Sequence, residues 1–350
     1  MKPCTRGKAV KALMQYALHV ARISAQEQEA EKRSFTPGSQ MEDVVKDKLT
    51  EKLVDPSLAV HSFFGTYLPN LHYLDREWLV SHLEDIFPRQ PEMSAYWEAA
   101  WDGYVFRSDF FGYLYEILRP YYRYAIEQMA LGTQGKAGSD FSRRRLAEHL
   151  AALYWRGVET LEDDDSLISL FFDSAPDEIR TGFVGGLGAT LREVKPSAHS
   201  EEWLRVKALW EARIREIGEI VERKGQLTGF IRELGAFADW VPFIPEDLGD
   251  SYSMIEVSGL ASENGAAIRL LEFLSSIAED HATFVVSLLE KLLQQEREPW
   301  FLGTESDEVR TILEAAMSSG DEQARSCAVS VINLFGERGD ERYRDLLKLR

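Results

Sequence analysis

Three groups of residues in this 350-residue chain carry the raw material of catalysis, and each is set in a context that argues against it. Asp163, Asp164 and Asp165 could ligate a cation, but an EF-hand loop needs alternating oxygen ligands and a glycine at its sixth position, where Ile168 stands. Asp165 instead sits where a helix start wants an acceptor for its free N–H groups. The glycines of "GFVGGLGATL" and "GTQGKAG" suggest nucleotide loops. The first would need a further glycine at Leu191; the second would need glycine at Ala130 and a hydroxyl residue at Ala137. Gly182 and Gly186, four apart, fit the close approach of a neighbouring helix instead. The third group, Pro176-Asp177 followed by Glu193-x-Lys195, matches the metal-binding carboxylates and lysine of restriction-endonuclease-like nucleases. Ile179, Phe183, Leu187 and Leu191 recur every four residues between them, so Asp177 and Glu193 belong to one helix and lie about 24 Å apart along it.

Other metal and nucleophile signatures are equally thin. His61, His72 and His82 flank one hairpin without a His-x-x-x-His or Glu-x-x-His spacing, and Cys4 and Cys327 are the only thiols. No Gly-x-Ser-x-Gly elbow occurs. No catalytic residue, metal ligand or cofactor is therefore assigned. Two surface stretches fit partner binding better. "RPYYRYAIEQ" interleaves Arg119 and Arg123 with Tyr121, Tyr122 and Tyr124, a combination that stacks on bases or grips a peptide. "SRRRLAEHL" places Arg143, Arg144 and Arg145 at an expected helix start, where the dipole disfavours cations and an acidic neighbour is called for.

The elements that must position these residues repeat one pattern: apolar side chains three and four apart, then a short break. Ala9, Leu13, Tyr16, Ala17, Val20 and Ile23 form the first stripe. "DPSLAVHSFFGTYL" opens on Asp55 as expected N-cap with Pro56 behind it, and "DREWLVSHLEDIF" follows. "MSAYWEAAWDGYVF" pairs with "DFFGYLYEIL", which is expected to kink or restart at Pro120. A long helix from about Ser200 to Lys224 and two further hairpins complete the chain, and the tryptophans 97, 101, 155, 203, 210, 240 and 300 fall mostly on apolar stripes. About six hairpins of roughly 30 to 45 residues predict an all-α fold, an irregular HEAT-like α-solenoid. The expected division is residues 1–131 and 140–350 of one continuous solenoid, with a glycine-rich flexible loop at about 132–139; "VPFIPEDLGDSYS" reads as a packed irregular connection.

Composition bounds the function. With 58 acidic against 40 basic side chains the net charge is −18, which repels nucleic acid and anionic membrane surfaces. Two distant cysteines suit a reducing cytoplasm, no apolar run is long enough to cross a bilayer, and the basic N-terminus reads as an amphipathic helix instead of a secretory signal.

Four phrases carry a resemblance: "DPSLAVHSFFGTYLPNL", "LYWRGVETLEDDDSLISLFFDSAPDEIRTGFVGGLG", "ELGAFADWV" and "GDEQARSCAVSVINLFGERGDERYRDLL". They are similar to the C-terminal helical region of large bacterial STAND-type P-loop NTPases, including ones associated with anti-phage defence. The resemblance spans most of the chain and consists of packing and capping patterns; no position matches the family's nucleotide site. It implies a solenoid surface that recognises a protein partner, an NTPase or a foreign protein, with ATPase and effector supplied elsewhere. In that family a basic, tryptophan-rich strip follows the "ELGAFADW" position, whereas here "VPFIPEDLGDS" is acidic, which points to a different partner. The expected function is a non-enzymatic interaction module, a detached or C-terminal part of a signalling NTPase. The alternatives are a nucleic-acid-binding solenoid using the arginines and tyrosines above, and a nuclease using Asp177, Glu193 and Lys195.

Overall fold

A computed structural model describes residues 5–30, 41–106, 111–130, 137–163, 165–224, 229–245, 248–262, 264–294 and 306–348. Cys4, Asp164 and Trp300, and residues 131–136 of the glycine-rich stretch, lie outside them. Among the described residues every regular element is helical and no strand occurs, as the 3.6-residue periodicity predicts. No described helix is long and apolar enough to cross a membrane. The chain divides into two compact units, Met1–Leu150 with Asp164–Ala175 and Ala151–Asp163 with Pro176–Arg350.

The first unit contains α1 (Thr5–Ala30), α2 (Asp43–Leu53), α3 (Leu58–Thr66), α4 (Leu68–Leu74), α5 (Arg76–Ser81), α6 (Leu83–Ile86), α7 (Ser94–Val105), α8 (Gly112–Ala130), most of α9 (Ala137–Trp155) and α10 (Leu167–Ser174). The two helices expected between Asp55 and Phe87 are four short ones. Tyr67 and His82 interrupt the helical run, and Asp75 starts α5 by accepting the Trp78 N–H at 2.9 Å. α3 packs on α7 with backbones almost touching: a Cβ on Gly65 would lie 1.8 Å from the Ala100 carbonyl oxygen, and one on Gly103 2.0 Å from that of Ser62.

Several local expectations are corrected. Of the kink or restart expected at Pro120, the restart is not found, since α8 runs through it as one helix. Pro120 and Glu116 are both exposed, so the carbonyl left without its helical donor faces water, while Leu118, Tyr121 and Tyr122 hold the helix against the core. α9 begins at Ala137, so Arg143, Arg144 and Arg145 lie beyond the first turn, and Asp140 occupies the position that suits the dipole. The cap of α10 is Ser166, whose hydroxyl accepts the N–H groups of Ile168 and Ser169 at 3.1 Å, and not Asp165. α3 is preceded by Ser57 at its N-cap; Asp55 reaches only the Ser57 N–H, at 3.0 Å, and pairs with Arg6 and Lys52. At α10 the neighbouring serine takes the cap and leaves the carboxylate for an ion pair; at α3 the Ser57 side chain makes no capping hydrogen bond, and Asp55 is likewise left to its ion pairs.

The second unit holds α11 (Asp177–Val194), α12 (Glu201–Lys224), α13 (Ile231–Ala236), α14 (Tyr252–Ala261), α15 (Asn264–Ser276), α16 (Ala282–Gln294), α17 (Ser306–Ser318) and α18 (Glu322–Glu337). The connection after α13 is two 3₁₀ turns, Phe237–Phe243 and Leu248–Ser251. The first packs on α11 and α15. Its Trp240 donates its indole N–H to the Val184 carbonyl at 3.1 Å. Gly188 is the glycine that makes room, since a Cβ there would lie 2.9 Å from the same indole nitrogen; a Cβ on Gly182 would meet nothing, and one on Gly186 only the Ala151 methyl. Further along, α15 packs on α17 and α16 on α18, with buried leucines of α16 at 288, 289, 292 and 293 filling the layer.

Candidate functional site

The residues expected at a partner surface fall into three environments within the first unit. Arg119 and Arg123, one turn apart on α8, reach the same carboxylate. Arg119 donates to Asp165 Oδ2 at 2.7 Å and to the Asp165 carbonyl at 2.6 Å; Arg123 binds the other carboxylate oxygen. The Arg119 hydrogen bond, assisted by both positive charges, holds the Asp165 carboxyl below the usual range. The pair therefore ties α8 to the start of α10, which is why Asp165 is not free to cap.

Tyr121 and Tyr122 point inward. Tyr121 donates to Glu84 at 3.0 Å with the Arg89 guanidinium over its ring and Phe87 beside it. Tyr122 is fully buried, hydrogen-bonded to Tyr104 at 3.0 Å and to His149 Nδ1 at 2.9 Å. Burial pushes the Tyr104 hydroxyl up to about 12 and raises that of Tyr122 well above its ordinary value, so both stay protonated and the cluster is neutral at the tyrosines. On α9, Arg143 pairs with Asp140 at 3.5 Å and Arg145 with Glu148, its guanidinium 6.0 Å over the Phe141 ring, while Arg144 is exposed. The seven residues do not form one face: they divide between a clasp on α10, the core and the outside of α9.

Beside them lies a pocket that was not anticipated. Ser94, Trp97, Glu98, Trp101 and Asp102 of α7, with Tyr124, Ala125 and Met129 of α8 and Ser142, Arg143 and Leu146 of α9, enclose about 130 Å³. A cavity of comparable size in another protein holds a benzene ring. Trp97 and Trp101 stack at 5.6 Å and 11°, and Tyr124 stands at 71° to Trp97 with centroids 5.0 Å apart. Asp102 is half-buried and accepts from Ser142; burial raises its carboxyl above the ordinary range, and nearby Glu98 adds to the rise. Trp97 is 7% exposed, and its indole N–H is buried without a hydrogen-bond partner among the described residues. The sequence signal was the repeat "WEAAWD": aromatic and acid, four apart, place two parallel rows on one helix face.

The nuclease pattern is not assembled. Asp177 and Glu193 stand at opposite ends of α11, and Lys195 is its C-cap in the left-handed conformation with φ 48°. Asp177 instead accepts the backbone N–H groups of Arg232 and Glu233, at 3.3 and 3.0 Å, and so caps α13 from across the unit. Next to it Glu233, with no exposure, receives Arg180 Nε at 2.5 Å and Arg213 Nε at 2.6 Å. His61 bonds the Asp55 carbonyl and His82 the Trp78 carbonyl. Among the described residues no three His, Cys, Asp or Glu side chains converge where they could hold a metal ion. Compared with protein-family models, with curated proteins and with solved structures, the chain matches none.

Proposed function

We propose that this chain is a protein-interaction module of the HEAT-like solenoid kind, with no catalytic centre of its own. It acts as the sensor or scaffold portion of a bacterial, cytoplasmic signalling system whose P-loop NTPase lies on another polypeptide or on another part of a longer one. The observation that carries this reading is the packing of the α15–α16 hairpin on the α17–α18 hairpin, the kind of contact from which helical-repeat surfaces are built. The net charge of −18 favours basic protein segments over nucleic acid as partners, and the phrases shared with STAND-type NTPases add the anti-phage context. The intramolecular pairs of Arg119 and Arg123 with Asp165 further reduce the charge offered to a phosphate backbone.

The test is affinity capture of the tagged chain from bacterial cells before and after phage infection, followed by size-exclusion chromatography in physiological salt. A complex of defined stoichiometry with a second protein in either state is the expected outcome. A chain that elutes alone in both states, or only with nucleic acid, contradicts the proposal.

A further inference from the structure

The pocket between α7, α8 and α9 has the chemistry of a cation site. Trp97, Trp101 and Tyr124 line it, and the π-electrons of their rings attract positive charge. Two carboxylates accompany them, Asp102 inside and Glu98 at the exposed rim, and neither makes an ion pair among the described residues. Arg143, which also lines the pocket, is paired with Asp140 at 3.5 Å. A half-buried carboxylate bonded only to a hydroxyl is expensive to ionise, and a cation entering beside it removes that penalty.

The same geometry selects among cations. One Asp102 oxygen already accepts from Ser142, so a guanidinium's two parallel bonds would have to share that oxygen, while an ammonium needs only the other one. The 5.6 Å between the stacked Trp97 and Trp101 rings leaves no slot for a planar group between them; Tyr124, standing across, leaves a corner that suits a compact charge. The Trp97 indole N–H, buried and without a partner among the described residues, is left for an acceptor that a bare alkylammonium lacks and that the peptide carbonyl at the backbone end of a lysine side chain provides. We propose that this pocket receives the ammonium group of a lysine side chain presented by a partner protein.

The inference rests on the reading of the chain as an interaction module, but its test needs only the purified chain and small probes. Nα-acetyl-lysine methylamide is titrated into the full chain, with binding read by calorimetry and by the Trp97 indole N–H resonance. A saturable shift with a millimolar dissociation constant is expected. The norleucine analogue, which lacks the charge, and n-butylammonium, which lacks the carbonyl, should both bind more weakly. Asp102→Asn, which keeps an acceptor for Ser142, should weaken the lysine probe by about tenfold or more; Glu98→Gln should weaken it less. The proposal is overturned if the lysine probe produces no saturable shift, if norleucine or the arginine analogue binds as tightly, or if Asp102→Asn leaves affinity unchanged. Failure of this titration alongside a captured protein complex would remove the pocket assignment and leave the module reading standing; capture without a complex alongside lysine binding would do the reverse.

Discussion

Asp102 and Asp165 are aspartates of one unit with opposite environments, and they predict opposite responses to pH. Burial raises the Asp102 carboxyl above its ordinary 3.8, so the folded chain binds that proton more tightly than the unfolded one. Ionising it therefore subtracts stability as pH rises from 3.8 through the raised value, and the loss is complete above it. Asp102→Asn should raise the melting temperature at neutral pH, with the gain vanishing below pH 3.8; a destabilised variant at pH 7 would contradict this. A site that is strained without its ligand behaves in this way. Asp165, held low first by the Arg119 hydrogen bond, contributes stability that is full above 3.8 and is lost as pH falls through its depressed value. Asp165→Asn should therefore lower the melting temperature at neutral pH and matter progressively less in acid. Sequence reasoning singled out Asp165 and Asp55 correctly as structural but gave them the wrong task. A carboxylate next to serine can lose the cap to the hydroxyl, and the arginines that claim Asp165 are more than forty positions away, out of reach of any local pattern. The pocket was missed for the converse reason: Trp97 and Trp101 were read only as core, and the acids one position after each were not read as a second row.

Individual helices are set by small residues and buried charges more than by caps. Gly65 and Gly103 allow α3 and α7 to approach within backbone contact, and a methyl at either must push the pair apart. Gly65→Ala and Gly103→Ala should each destabilise the chain by about 1–3 kcal/mol or more in denaturant unfolding. The double variant should lose less than the sum, because one displacement accommodates both methyls. In the second unit Glu233 is the fully buried partner of both Arg180 and Arg213, whose other carboxylates, Asp177 at 3.7 Å and the exposed Glu216 at 2.6 Å, are farther or more hydrated, so Glu233→Gln leaves the buried positive charge poorly compensated. A loss of about 3–5 kcal/mol is expected, far larger than for Glu341→Gln, whose pair with Arg344 is exposed. Helix type was legible through most of the described residues, because apolar residues return every three or four positions. Helix ends were less so. The continuity of α8 through Pro120 depends on which face meets water, and the four short pieces α3 to α6 depend on tertiary contacts that override propensity. The glycine cluster of α11 shows the same limit: spacing suggested Gly182 and Gly186, but the neighbour that matters, the Trp240 indole, meets Gly188.

At the scale of the whole chain, the all-helical content and the net charge of −18 are what the proposed repeat-built interaction module rests on. The proposal extends along the polypeptide the packing seen where α15 meets α17 and α16 meets α18. Small-angle X-ray scattering of the purified monomer measures this directly. A compact globule of 350 residues has a radius of gyration of about 20 Å. Stacked hairpins in an open solenoid predict a value clearly above that, with a pair-distance distribution skewed to long distances; a value at 20 Å with a symmetric distribution would contradict the account.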